Sequence, residues 1–77
     1  MAKEFKMDII EKINTFERSG GYNLELRYIS WNGNSPKYDL RTWKQNEDGT
    51  EKCGKGITMT EEELMHLGES ITRYFGN

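Results

Sequence analysis

Two tryptophans stand among cations in the middle of the chain. Trp31 follows Arg27 by four residues, Trp43 follows Arg41 by two and Lys37 by six, and Lys44 comes directly after. Side chains alternate between the two faces of a strand, so in the run Lys37-Tyr38-Asp39-Leu40-Arg41-Thr42-Trp43-Lys44 the residues Lys37, Asp39, Arg41 and Trp43 share one side. An indole beside a guanidinium can do one recognisable kind of chemistry. An unpaired base offers a π-face worth about 1–3 kcal/mol in stacking, and phosphates seek Arg and Lys. Duplex DNA suits such a surface poorly, because its bases already stack on one another. A plainer role fits the same residues. Tryptophans in small domains commonly fill cores or dimer interfaces, and Arg41 and Lys37 also read as a solvated face with Asp39 as their partner.

The elements that must position these residues follow from periodicity and turn chemistry. Phe5, Met7 and Ile9 alternate and the phase shifts at Ile10, which predicts a long bulged strand over Glu4–Glu17, although Ile9, Ile13 and Phe16 also suit helical spacing. Ser19-Gly20-Gly21 is a turn signal. In Tyr22–Trp31 the residues Leu24, Leu26 and Tyr28 alternate with Glu25, Arg27, Ile29 and Trp31, a second strand. Asn32-Gly33-Asn34-Ser35-Pro36 closes it, since Asn-Gly tolerates positive φ and Pro36 cannot donate to a ladder. Lys37–Lys44 is the third strand. The polar loop Gln45–Thr50 leads to a fourth, about Glu51–Met59.

Thr60-Glu61-Glu62-Glu63 has the form of a capping box, with acidic residues complementing the dipole of the helix it opens. Leu64, Leu67, Ile71 and Tyr74 or Phe75 then form one apolar stripe. Gly68 within it marks a bend or a close approach to another element. The reading is α+β: a four-stranded curved antiparallel sheet followed by one C-terminal helix. One helix covers one sheet face. Its stripe should meet Leu24, Leu26, Tyr28, Tyr38 and Leu40, leaving Arg27, Ile29, Trp31, Lys37, Arg41 and Trp43 on the uncovered side.

Bulk properties bound the rest. With 77 residues the chain is a single domain, residues 1–77, whose core is marginal without a supplement such as dimerisation. The net charge of −2 is unevenly spread: residues 1–26 carry four basic and five acidic side chains, residues 27–56 six and four, and residues 57–77 one and four. The positive excess therefore lies where the tryptophans are. A single cysteine, Cys53, excludes an internal disulfide and points to a reducing cytoplasm; no Cys/His cluster suggests a metal. Neither a signal peptide nor a membrane span is expected.

No catalytic constellation is present. His66 reads as a surface helix residue, Cys53 as a small apolar filler, and Glu61–Glu63 as helix-start residues. Gly54-Lys55-Gly56 lacks the length and the Ser/Thr of a phosphate-cradling loop; it reads as a bulge that could turn Lys55 outward. A non-enzyme without cofactors is expected.

Taken together, Tyr38-Asp39-Leu40-Arg41-Thr42-Trp43, the loop with Asp48-Gly49, Lys52, Gly54-Lys55-Gly56-Ile57-Thr58-Met59 and the acidic helix start resemble the positive cofactor four family of transcriptional coactivators. The small bacterial YdbC-like members match most fully, through Ile29-Ser30-Trp31-Asn32, Pro36-Lys37-Tyr38-Asp39 and Arg41-Thr42-Trp43, and the likeness covers roughly residues 24–75. The resemblance implies a homodimer of curved sheets that binds single-stranded DNA with little sequence preference. It implies DNA contacts for Arg41 and Trp43, places Trp31 near an aromatic at the tip of the preceding strand, and puts Lys52 and Lys55 on the fourth-strand lysines. The fourth strand has one lysine fewer than eukaryotic members, the loop between the second and third strands is rebuilt, and a regulatory tail rich in serine and lysine before the domain is not expected.

The expected function is thus a cytoplasmic, nucleoid-associated, non-enzymatic single-stranded DNA-binding protein of transcription, replication or repair, with that machinery as a further candidate partner and no membrane role. The expected site is Arg27, Trp31, Lys37, Arg41, Trp43, Lys44, Lys52 and Lys55, with bases on the indoles and phosphates along the cations. Two alternatives stand beside it: a protein-interaction module that uses the aromatic face, and a binder of single-stranded RNA.

Overall fold

The computed structural model describes residues 6–76. Strands β1 (Met7–Phe16), β2 (Asn23–Trp31), β3 (Lys37–Gln45) and β4 (Glu51–Met59) form one antiparallel sheet in the order β1-β2-β3-β4, and helix α1 (Glu61–Phe75) follows. The expected fold is the observed one. Phe5, read as part of the first strand, lies outside the described residues.

Turn chemistry sets the joints. Gly20 and Gly21 both take positive φ between β1 and β2. Asn32 (φ 53°) and Gly33 (φ 79°) are the central residues of a type I′ turn, closed by the Asn34 amide donating to the Trp31 carbonyl at 2.9 Å. That turn is tied to the start of the chain, for the Asn32 amide donates to the Lys6 carbonyl and the Lys6 amide to Asn32 Oδ1. Between β3 and β4, Asp48 Oδ1 accepts from both the amide and the hydroxyl of Thr50. These two bonds hold the Asp48 carboxyl below the usual carboxylate range.

β1 carries two register shifts rather than the single one expected, between Ile9 and Glu11 and between Lys12 and Asn14. Their effect is specific. Met7 and Ile9 sit beside Trp31 and Ile29, Lys12 beside Arg27 and Thr15 beside Glu25, while Phe16 joins Leu24 on the other face. The skipped residues Ile10 and Ile13 are exposed.

The capping box forms as expected: the Glu63 amide donates to Thr60 Oγ1 and the Thr60 amide to Glu63 Oε1. Gly76, at φ 74°, ends the helix with its amide on the Thr72 carbonyl. Gly68 does not bring the helix into close approach with another element, because a Cβ added there would meet nothing within 4 Å.

The helix stripe faces the expected side of the sheet without closing on it. Leu64, Leu67 and Ile71 look across an apolar cavity of about 420 Å³ at Phe16, Leu24, Leu26 and Leu40, and no helix side chain is buried. The tightest burial lies on the opposite face. Arg27, Ile29 and Asp39 are fully inaccessible and Trp43 is 3% exposed, although no described element packs over them. The expectation of two indoles left open to water is thus corrected: Trp43 is sealed and Trp31 half-buried.

Candidate nucleic-acid interface

The polar face rests on a pattern that occurs once on each central strand: acid, aliphatic, arginine. Residues two apart on a strand share a face, so in Glu25-Leu26-Arg27 and Asp39-Leu40-Arg41 each carboxylate lies beside its arginine. Arg27 Nε donates to Glu25 Oε1 at 2.7 Å, and its two terminal nitrogens donate to the two oxygens of Glu51 at 3.2 and 3.0 Å. Burial works against the Arg27 charge, but the hydrogen bonds to Glu51 and Glu25 outweigh it and leave the guanidinium above its ordinary value. The same contact holds the Glu51 carboxyl below its usual range. Lys12 adds a longer ion pair to Glu25 at 3.8 Å.

Arg41 repeats the motif in a more open setting. Its Nε and one terminal nitrogen chelate Asp39 at 2.6 and 2.8 Å, and the other terminal nitrogen donates to the Gly54 carbonyl at 3.3 Å. Thr58 Oγ1 donates to Asp39 at 3.1 Å, so the inaccessible carboxylate is satisfied on both oxygens. The Asp39 bonds raise Arg41 above its ordinary value despite burial. The partnership of Arg41 with Asp39, weighed in the sequence, is present; Lys37 takes no part in it.

Each arginine also meets a tryptophan. Arg27 Cζ lies 3.8 Å from the centre of the Trp43 ring, and Arg41 Cζ lies 5.2 Å from that of Trp31. The consequences differ. Trp43 is sealed, and its indole N–H has no hydrogen-bond partner among the described residues, whereas Trp31 is half-buried at the end of β2. From the register, about eight residues at roughly 3.3 Å each separate the two along the sheet.

Of the sequence-derived set, the structure gathers Arg27, Trp31, Lys37, Arg41 and Trp43 on one face. Lys44 and Lys52 stand opposite one another across β3 and β4 on the other face, near the sheet end where Lys44 Nζ lies 5.7 Å from the Tyr22 ring centre. A register shift between Arg41 and Trp43 brings Gly56 and Cys53, three residues apart, opposite those two residues; Lys55 is exposed within it. Gly56 is required there, since a Cβ would collide with Arg41 Cβ and the Leu40 carbonyl. Cys53 is exposed rather than a buried filler, because that shift brings it to the rim; His66 is exposed as expected.

Sequence reasoning missed Glu25 and Glu51 as partners of Arg27, although the acid-aliphatic-arginine repeat was a usable signal for Glu25. It also missed the pocket of about 450 Å³ and mixed lining at the tip of the β2–β3 turn, bounded by Trp31, Asn34, Ser35, Lys37 and Thr58. Among the described residues no group of His, Cys, Asp and Glu could hold a metal ion, and no helix is long and apolar enough to cross a membrane.

An open antiparallel sheet, one carboxy-terminal helix and a face of tryptophans laced with arginines define a class of small sheet-surface proteins. Within it, this chain belongs to the Transcriptional Coactivator p15 (PC4) family, whose model matches residues 19–70. An uncharacterized protein of Treponema pallidum (strain Nichols) is 40% identical over 69 residues, covering 88% of this chain and 78% of the relative. The family consists of non-enzymatic nucleic-acid-binding proteins.

Proposed function

We propose that this protein binds single-stranded DNA as a homodimer, with little dependence on sequence, in support of transcription, replication or repair. One observation carries the reading. The half-buried Trp31 indole, the partly exposed Arg41 beside it and the Lys37 ammonium, which makes no ion pair among the described residues, stand together at one end of a sheet face over which no described element packs. A base can lie on the indole while the cations meet its phosphates. The family is known for single-stranded DNA binding and a coactivator role, which supports the same conclusion.

The two tryptophans divide the work. Trp31 is the stacking platform, while Trp43, roofed by Arg27, stiffens the sheet beneath the strand. The Arg27 charge is spent on Glu25 and Glu51, so phosphates follow Arg41 and Lys37, with the exposed Lys55 at the β4 edge; Lys44 and Lys52, on the other face, lie off that path. Dimerisation closes the gap between helix and sheet.

The test is an electrophoretic shift with single-stranded and duplex DNA of one sequence. Retardation of the single strand alone is expected, and its affinity should fall by about 0.7 log units per log unit of salt for each phosphate neutralised. Equal retardation of the duplex, or none of either, removes the reading.

A further inference from the structure

The acid-aliphatic-arginine pattern occurs twice, and its two arginines end differently. On Arg27, Glu25 takes Nε and the two oxygens of Glu51 take one terminal nitrogen each, so the guanidinium is closed and fully inaccessible. Arg41 meets no second carboxylate among the described residues. Asp39 takes its Nε and one terminal nitrogen, and the Gly54 carbonyl takes the other terminal nitrogen at 3.3 Å. These bonds use three of the five N–H groups of a guanidinium. Two remain, one on each terminal nitrogen. The Cys53 thiol beside this guanidinium is only a weak partner, and the side chain keeps 18% of its surface exposed.

What holds Arg41 still is buried. Asp39 is fully inaccessible on a central strand, paired with Arg27 on β2 and Thr58 on β4. The Thr58 hydroxyl donates to the same carboxylate oxygen that accepts from the Arg41 terminal nitrogen. A carboxylate fixed in this way fixes the plane of the guanidinium it chelates. We propose that Asp39 and Thr58 are positioning residues that set Arg41 as a fork for two oxygens of one phosphate of the bound strand, the part that Glu51 plays on Arg27. The inference rests on the single-stranded DNA reading and deepens it from a cation near a phosphate to a directional, two-pronged contact. Lysine carries the same charge without that planar fork. By charge alone, a carboxylate beneath a surface for a polyanion is a cost. Its geometric role accounts for its presence.

The experiment is fluorescence anisotropy with oligo-dT over a range of salt concentrations, on the wild type and on Asp39→Asn, Arg41→Lys, Thr58→Val and Thr58→Ser. Urea unfolding establishes that each variant is folded under the assay conditions. Asp39→Asn gives opposite signs for the two roles. Removing a negative charge tightens binding if only charge matters, whereas the positioning role weakens it about 10-fold, the worth of a hydrogen bond to a charged group. Arg41→Lys should lose about as much, with its salt dependence unchanged. Thr58→Val, which keeps every charge, should lose about 2- to 10-fold, and Thr58→Ser should regain most of that loss. Equal or tighter binding by Asp39→Asn, or full affinity in Arg41→Lys, overturns the assignment and leaves general binding intact. If Asp39→Asn does not fold, full affinity in Thr58→Val overturns it instead. Absence of oligo-dT binding by the wild type overturns the function on which the assignment rests.

Discussion

Arg27 lies over Trp43 with its guanidinium carbon 3.8 Å from the ring centre, and both side chains are withdrawn from solvent on a face over which no described element packs. The arrangement works because Glu25 and Glu51 take the guanidinium protons in the sheet plane while the indole takes one flat side. Removing one member of a buried ion cluster leaves charges without partners and costs about 3–5 kcal/mol. Arg27→Ala should therefore lower stability by that order in urea unfolding. The triple variant Glu25→Gln, Arg27→Met, Glu51→Gln, which removes every charge of the three, should recover much of it. A fully stable Arg27→Ala would show that the cluster contributes nothing.

Glu51 gives the same cluster a pH signature. Its hydrogen bonds from Arg27 depress its pKa in the folded state, so the unfolded chain binds a proton more readily than the folded one. The stability this supplies is complete above the ordinary glutamate pKa and is lost as pH falls through the lower folded value. Wild-type protein should lose stability across that acidic window, and Glu51→Gln should show a shallower decline. Denaturant midpoints measured at neutral pH and at successively more acidic values check this; parallel curves for the two proteins would refute it.

The two tryptophans should separate in function. Trp31→Ala removes the half-buried platform and should weaken oligo-dT binding about 5- to 150-fold, the equivalent of one stacked base. Trp43→Ala empties a sealed site and should cost about 3–5 kcal/mol of folding free energy. Titration calorimetry with oligo-dT, paired with urea unfolding, distinguishes them. The reverse outcome would mean that Arg27 swings away and that Trp43 is the working surface.

Gly56 ties β4 to the arginine that flanks Trp31. A methyl group at this position collides with Arg41 Cβ and the Leu40 carbonyl, both parts of a paired strand that cannot retreat. Gly56→Ala should spread β3 from β4, weaken the Arg41 bond to the Gly54 carbonyl and reduce both stability and strand affinity. Gly49→Ala is the useful contrast. There the neighbourhood is open and only the positive φ resists, so about 1 kcal/mol is expected without loss of binding. Unfolding curves and oligo-dT affinities of the two variants provide the comparison.

The strands and helix could be read in advance because each is announced by short-range chemistry: alternation in Leu24–Trp31, Asn32-Gly33 at a turn, Thr60 and Glu63 at a helix start. Face assignment followed from period two alone, so Trp31, Arg41 and Trp43 were correctly grouped. Burial was not readable in the same way. Whether Arg27 reaches water depends on Glu51, which is 24 residues away, and on a β4 register shift that no local pattern announces. The sealing of Trp43 and the exposure of Cys53 follow from those two long-range facts.

The final prediction concerns the apolar gap. Leu67 is 39% and Ile71 49% exposed, facing Leu24, Leu26 and Leu40 across a cavity that contains no polar lining, while Tyr74 and Phe75 project further out at 83% and 73%. A chain this small cannot leave its main helix stripe in water and still offset the entropy of folding. A second copy that inserts its own stripe supplies the missing burial, at about 25 cal/mol per Å² of apolar surface removed. The protein should sediment as a dimer at micromolar concentration. Ile71→Asp places a charge in the contact and should yield a monomer of lower thermal stability, with weakened strand binding as two sheets cease to act as one surface. A wild-type monomer that melts independently of concentration would show that the helix and sheet close on each other without a partner.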